Sequence, residues 1–227
     1  MKPIIKVRMH LMTMLLIGAF AIGLVQPAHA DVITLTFEGV ADKASVNDFY
    51  NGGTDSAGNS GVNYGINFSS NSLGLIAFDS GGTGNFFGAQ APSPATVVFF
   101  LSGSADTMNV AAGFTTGFSF YYSAPTTGGN SVYVYDALGG AAGGGSVIAS
   151  ILLPSTGEGF PAHIWVPIGV TFSGTAYSVD FGGVANQVAF DNITLGSETP
   201  TATPEPCTIV LTAIGLAGFG LTKRRTM

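Results

Sequence analysis

The sequence predicts an all-β domain, an antiparallel β-sandwich, over residues 31–195. Three observations predict it. Apolar residues in this stretch alternate with polar ones at period two, not at helical spacing. The alternating runs are short and recur at near-regular intervals. Their separators are rich in Gly, Ser, Asn and Pro, as in Asn51-Gly52-Gly53, Ser80-Gly81-Gly82 and Thr127-Gly128-Gly129-Asn130, residues that supply turn conformations.

The first run is VITLTF at 32–37, with Ile33, Leu35 and Phe37 on one face. Then come YGINFS (64–69), LGLIAF (73–78), ATVVFFL (95–101), MNVAAGF (108–114), GFSFYYS (117–123), SVYVYDA (131–137), SVIASILL (146–153), HIWVPIGVTF (163–172), AYSVDF (176–181) and NQVAFDNITL (186–195). No segment of the domain has the pattern of an amphipathic helix. The glycine run 139–145 reads as a flexible loop; it is no phosphate cradle, because neither Lys-Ser/Thr nor a helix follows it. In the last run Val188 and Phe190 share one parity, Ile193 and Leu195 the other. Both pairs can face inward only if one residue is inserted near Asp191-Asn192, which predicts a β-bulge and a re-aimed Asp191.

Charge narrows the function. The chain has 227 residues with 7 Lys or Arg and 13 Asp or Glu, so 9% are charged, against about 25% in an ordinary domain. Residues 31–198 hold twelve acids, one lysine (Lys43) and no arginine, a formal charge of −11. Nucleic-acid and nucleotide partners are excluded on this ground, since phosphate binding relies on Arg forks and Lys charges. Such a surface repels anionic polymers and attracts divalent cations. Cys207 is the one cysteine, so no disulfide forms within the chain.

The ends read as addresses. Residues 1–30 have the form of a secretory signal peptide: Lys2, Lys6 and Arg8, then an apolar run from Leu11 to Val25, then the cleavage site Ala28-His29-Ala30. Export by the Sec translocon and cleavage by signal peptidase would start the mature chain at Asp31. Residues 196–203 read as a Thr/Pro-rich spacer. After it come Pro204-Glu205-Pro206, an apolar run 207–222 and Lys223-Arg224-Arg225. A helix over that run would span about 24 Å, somewhat short of a hydrocarbon core of about 30 Å. The basic cluster favours a cytoplasmic C-terminus, with the acidic domain outside.

Pro204-Glu205-Pro206, the apolar run from Cys207 and the basic end together resemble the PEP-CTERM sorting signal. The resemblance covers Pro204 to Met227. It implies recognition by an exosortase, a membrane-embedded cysteine transpeptidase-like enzyme that cuts near the tripeptide and passes the protein to the outer surface. It also implies a Gram-negative bacterium that makes extracellular polysaccharide, and only a transient stay in the inner membrane. The family often carries Ser, Ala or Thr after the tripeptide; here Cys207 stands there. The physics agrees: two prolines hold the segment extended and deny it donors, as a protease-like cleft requires.

Phe37-Glu38-Gly39 and Phe190-Asp191-Asn192-Ile193 further resemble the first and last strands of jelly-roll domains found among PEP-CTERM proteins and carbohydrate-binding modules. That resemblance implies a structural calcium near Glu38 and Asp191. The alternative is that both acids cap turns and face water.

Other chemistry is thin. The domain has one histidine, His163, and no cysteine, so multi-His metal sites are excluded. Acids such as Asp42, Asp48, Asp55 and Asp106 read as turn residues, none marked as buried and proton-holding. Tyr121, Tyr133 and Trp165, on predicted strands, are the candidates for stacking on sugar rings; the alternative is ordinary core packing. The expectation is a non-enzymatic, exported surface or exopolysaccharide-matrix protein, structural or adhesive, with polysaccharide as a candidate ligand. Its rivals are a surface polysaccharide hydrolase, which needs only two carboxylates, and a permanently anchored periplasmic domain.

Overall fold

The structure, a computed structural model, describes residues 32–201 apart from Thr127 and Gly129. The signal-peptide site Ala28 and Ala30 and the sorting residues Pro204, Glu205, Pro206, Cys207, Lys223, Arg224 and Arg225 lie outside the described residues. Every predicted run overlaps one of the eleven strands: β1 (Ile33–Leu35), β2 (Ile66–Phe68), β3 (Leu73–Ile76), β4 (Thr96–Phe99), β5 (Ala105–Phe114), β6 (Gly117–Ser123), β7 (Asn130–Tyr135), β8 (Val147–Leu153), β9 (Val166–Thr171), β10 (Ala176–Gly182) and β11 (Ala189–Leu195). Helical structure among the described residues is confined to three short 3-10 turns.

The strands form two antiparallel sheets. One runs β3-β4-β11-β6-β9, with β1 also pairing β11. The other runs β2-β5-β10-β7-β8. Alternation explains the layering: Phe118, Phe120 and Phe190 of the first sheet meet Phe181 of the second, with ring centroids 5.0–5.9 Å apart. These rings are at most 1% exposed, and the edge-on contacts of Phe118 and Phe120 with Phe181 add to the burial itself.

The predicted bulge is present. Asp191 pairs with Tyr121, whereas the next pair is Thr194 with Ser119, so β11 carries one residue more than β6 across this step. Asn192 takes a φ of 46° there, a left-handed value that Asn tolerates better than most residues. Ile193 and Leu195 thereby return to the core, 0% and 1% exposed.

Two expectations are corrected. The glycine run 139–145 is not a free loop: Gly140–Gly143 forms a 3-10 turn docked on the second sheet. Its N–H groups are occupied, Gly139 donating to Asn109 Oδ1 (2.7 Å), Gly140 to Ser178 Oγ (2.9 Å) and Ala141 to Asp180 Oδ2 (2.9 Å). Asp106 is not a turn residue. Strand β5 begins before Met108, so Asp106 falls in the inward parity of Met108 and Val110 and is 1% exposed. Its carboxyl oxygens make no hydrogen bond of good geometry, and the Ser72 hydroxyl is only a weak partner. Burial pushes its pKa up to about 7, tempered by the Ser72 hydroxyl and reinforced by the charge of Asp180.

The long β1–β2 connection is tied down by buried polar groups. Asp55 accepts from the N–H groups of Ala41, Ala57 and Asn59 and from the Asn59 amide, at 2.8–3.0 Å. Burial alone would raise its pKa, but these bonds hold it below the usual carboxylate range. Tyr50 accepts the Phe37 N–H at 2.7 Å in the core. Tyr50→Phe orphans that N–H, so it should lower unfolding free energy by about 1–3 kcal/mol. The check is a lower urea midpoint with an unchanged m-value.

Candidate functional site

The bulge builds a buried polar cluster in the first sheet. Asp191, 0% exposed, accepts from the Ser93 N–H (2.8 Å), the Ser93 hydroxyl (2.9 and 3.0 Å to its two oxygens) and the Asn192 N–H (2.7 Å). Glu38 follows Phe37, whose φ of 61° turns the chain out of β1. Glu38 is exposed as a residue, yet its carboxylate accepts from the Thr96 N–H at 2.9 Å and stands 3.4 Å from the Ser93 hydroxyl. The Thr36 carbonyl lies 3.0 Å from that same hydroxyl.

The two acids named from the sequence are therefore brought to one serine, and Asp191 does not face water. Ser93 Oγ has one proton and four acceptor oxygens around it. Acceptors outnumber donors, and two carboxylates share the place. Burial raises the pKa of both Glu38 and Asp191, and the charge of Glu38 raises Asp191 further. Among the described residues no group of three or more His, Cys, Asp or Glu gathers. The donors are two carboxylates, a carbonyl and a hydroxyl, an all-oxygen set. That set fits a hard cation such as calcium, which accepts carbonyl and hydroxyl oxygens and completes its six to eight ligands with carbonyls and water.

A groove of about 400 Å³ lies over β3, β4 and β11. Phe86, Phe99, Phe160 and Trp165 supply its rings; Asn85, Asn186 and Gln187 supply amides. Lys43, the one Lys or Arg among the described residues, lines it too. Trp165 packs edge-on against Phe86 at 5.8 Å, and both belong to a small second core with Ala77, Val97 and Ala162. A second cavity, of about 370 Å³, is lined by Asn51, Asn67 and Asn109 with Gly65 and Gly139. Neither lining contains an Asp or Glu.

The three aromatic candidates do not form one platform. Trp165 lines the groove, Tyr121 sits on β6 between Asp191 and Pro167, and Tyr133, 40% exposed, lies on β7 of the other sheet. His163 is exposed, and its Nδ1 stands 3.0 Å from the Pro161 carbonyl oxygen. Sequence reasoning missed Ser93, which is 98 residues from Asp191 and has no local signal. It also missed the groove amides, which come from separate connections.

No family model and no curated protein matches the chain. Among solved structures, the chain is similar to the carbohydrate-binding module CBM6cm-2 of Cellvibrio mixtus lichenase 5A in complex with cellotriose, at 17% identity over 56% of this chain and 88% of that one, TM-score 0.36. It is similar to the K2 cleaved adhesin domain of Lys-gingipain, at 15% identity over 73% and 99%, TM-score 0.45. It is also similar to a β-1,3-glucan-binding CBM6 from Bacillus halodurans, at 12% identity over 76% and 97%, TM-score 0.37. With each of these TM-scores below 0.5, none decides what the cluster or the groove holds.

Proposed function

We propose that this chain is an exported surface or exopolysaccharide-matrix protein, processed by an exosortase near Pro204-Glu205-Pro206, whose β-sandwich serves a structural or adhesive role and engages polysaccharide. The observation that carries it is the combination of the tripeptide, the apolar run 207–222 and Lys223-Arg224-Arg225 with an N-terminal signal peptide. Signal peptidase, the Sec translocon and the exosortase are its processing partners, and the inner membrane holds it transiently. Glu38, Asp191, the Thr36 carbonyl and Ser93 would hold calcium. The ion would supply positive charge where two carboxylates converge and tie the start of the sandwich to its last strand.

For the ectodomain, a binding role is favoured over hydrolysis because neither cavity offers the pair of carboxylates that glycoside hydrolysis uses. Trp165 is the sugar-stacking candidate that the groove retains. A glycan array read with and without calcium tests this part: binding lost on Trp165→Ala is expected, and a flat response in both conditions contradicts it. The sorting part is tested by Glu205→Gln with Pro206→Ala. The expected result is uncleaved chain retained with the inner membrane and a severalfold loss of extracellular protein. Normal release of the double variant contradicts it.

A further inference from the structure

The segment expected to be a free spacer begins as a docked strap. The Gly196 N–H donates to the Gly117 carbonyl (2.9 Å), and the Thr116 and Ser119 hydroxyls donate to the carbonyls of Gly196 and Ser197 (2.9 Å each). Further on, the Thr201 N–H donates to Thr194 Oγ1 (3.3 Å) and the Asn192 amide donates to the Thr201 carbonyl (2.9 Å). Pro200 is buried. Two glycines in the track let the strap lie close. A Cβ on Gly117 would stand 2.6 Å from Glu198 N and 2.8 Å from the Ser197 carbonyl carbon, and one on Gly169 of β9 would run into the Glu198 carbonyl. Close approach of two backbones is what glycine permits.

Only Ala202 and Thr203 separate the last anchored residue, Thr201, from Pro204. Three residue steps reach about 11 Å at most, and freeing 196–201 adds about 20 Å. While docked, the strap commits the Gly196 and Thr201 N–H groups and the Gly196, Ser197 and Thr201 carbonyls to the domain, so these cannot pair in a recognition cleft. We propose that Gly196–Thr201 is a retractable part of the tether: it must leave its track on β6 and β9 before Pro204-Glu205-Pro206 can be drawn into a cleft at the membrane surface, so undocking sets the rate of C-terminal processing. This rests on the sorting role proposed above.

The test uses the full chain. Gly117→Ala places its Cβ against strap atoms, and Ser119→Ala removes one anchor without adding an atom. A Glu-specific endoproteinase reports on Glu198, the strap's one acid. Cleavage there should be about tenfold faster in Gly117→Ala than in the unaltered chain, the effect of losing one or two hydrogen bonds, and intermediate in Ser119→Ala, with far-UV circular dichroism unchanged. In an exosortase-bearing host, both variants should mature severalfold faster and end at the same residue. Equal cleavage at Glu198 in all three chains overturns the docking. Faster cleavage at Glu198 with unchanged maturation overturns the gating. Chains that all end at Met227 overturn the sorting role itself, while the endoproteinase comparison still judges the track. If Gly117→Ala does not fold, Ser119→Ala decides.

Discussion

Asp106→Asn should stabilise the domain at pH 8 and leave it nearly unchanged at pH 4. Asp106 is buried, with only the Ser72 hydroxyl as a weak partner, and its pKa stands at about 7. The folded state therefore binds a proton that the unfolded state has released. Stability from this group is full below the unfolded pKa, near 4, and is lost as pH rises toward 7. A gap of about three units corresponds to about 4 kcal/mol, lost completely above pH 7. Asparagine keeps the shape and cannot ionise, so the variant should gain an amount of this order at pH 8. In a domain of this size that is a rise of about 10 °C in Tm. Thermal melts of both proteins from pH 4 to pH 8 check it. The difference between the two curves isolates Asp106, because Asp42, Asp55 and Glu158, whose pKa values are lowered, contribute equally to both. Those three act in the opposite sense: their stabilisation is present above the ordinary carboxylate range and is lost as pH falls below it.

Calcium should raise Tm by about 5–10 °C at a free concentration a hundredfold above its Kd, which corresponds to about 2.7 kcal/mol. The cause is the cluster at the β11 bulge. Without a cation, Glu38 and Asp191 both have raised pKa values, so each disfavours the folded state as pH climbs above its unfolded value. A bound cation reverses that penalty, and protons compete with it. The calcium shift should therefore be larger at pH 8 than at pH 5. Chelation should return Tm to its starting value, and Asp191→Asn should abolish the shift. Identical melts in calcium and in chelator would remove the ion from the account.

Much of this architecture was legible because strands such as β2 and β5 carry their own period-two record. The bulge was legible for the same reason: Val188 and Phe190 have one parity, Ile193 and Leu195 the other, and one inserted residue reconciles them. The misreading of Asp106 came from stopping the alternation at Met108. Carried back two residues, the same parity places a carboxyl in the core, against the habit of reading Gly-Ser-Ala-Asp as a turn. The site was half legible. Glu38 and Asp191 were named from strand-end motifs, but Ser93, which joins them, lies in a connection with no periodicity. Its place is set by tertiary packing alone. The strap was hidden because its sequence is that of a linker. What docks it is the surface beneath, where Gly117 and Gly169 leave room for a second backbone.

The most direct test is the intact mass of the mature protein recovered from outside the cell. The account predicts a chain that begins at Asp31 and ends within Pro204–Cys207, short of the apolar run and the basic cluster. An exported chain that still carries every residue through Met227 would contradict it.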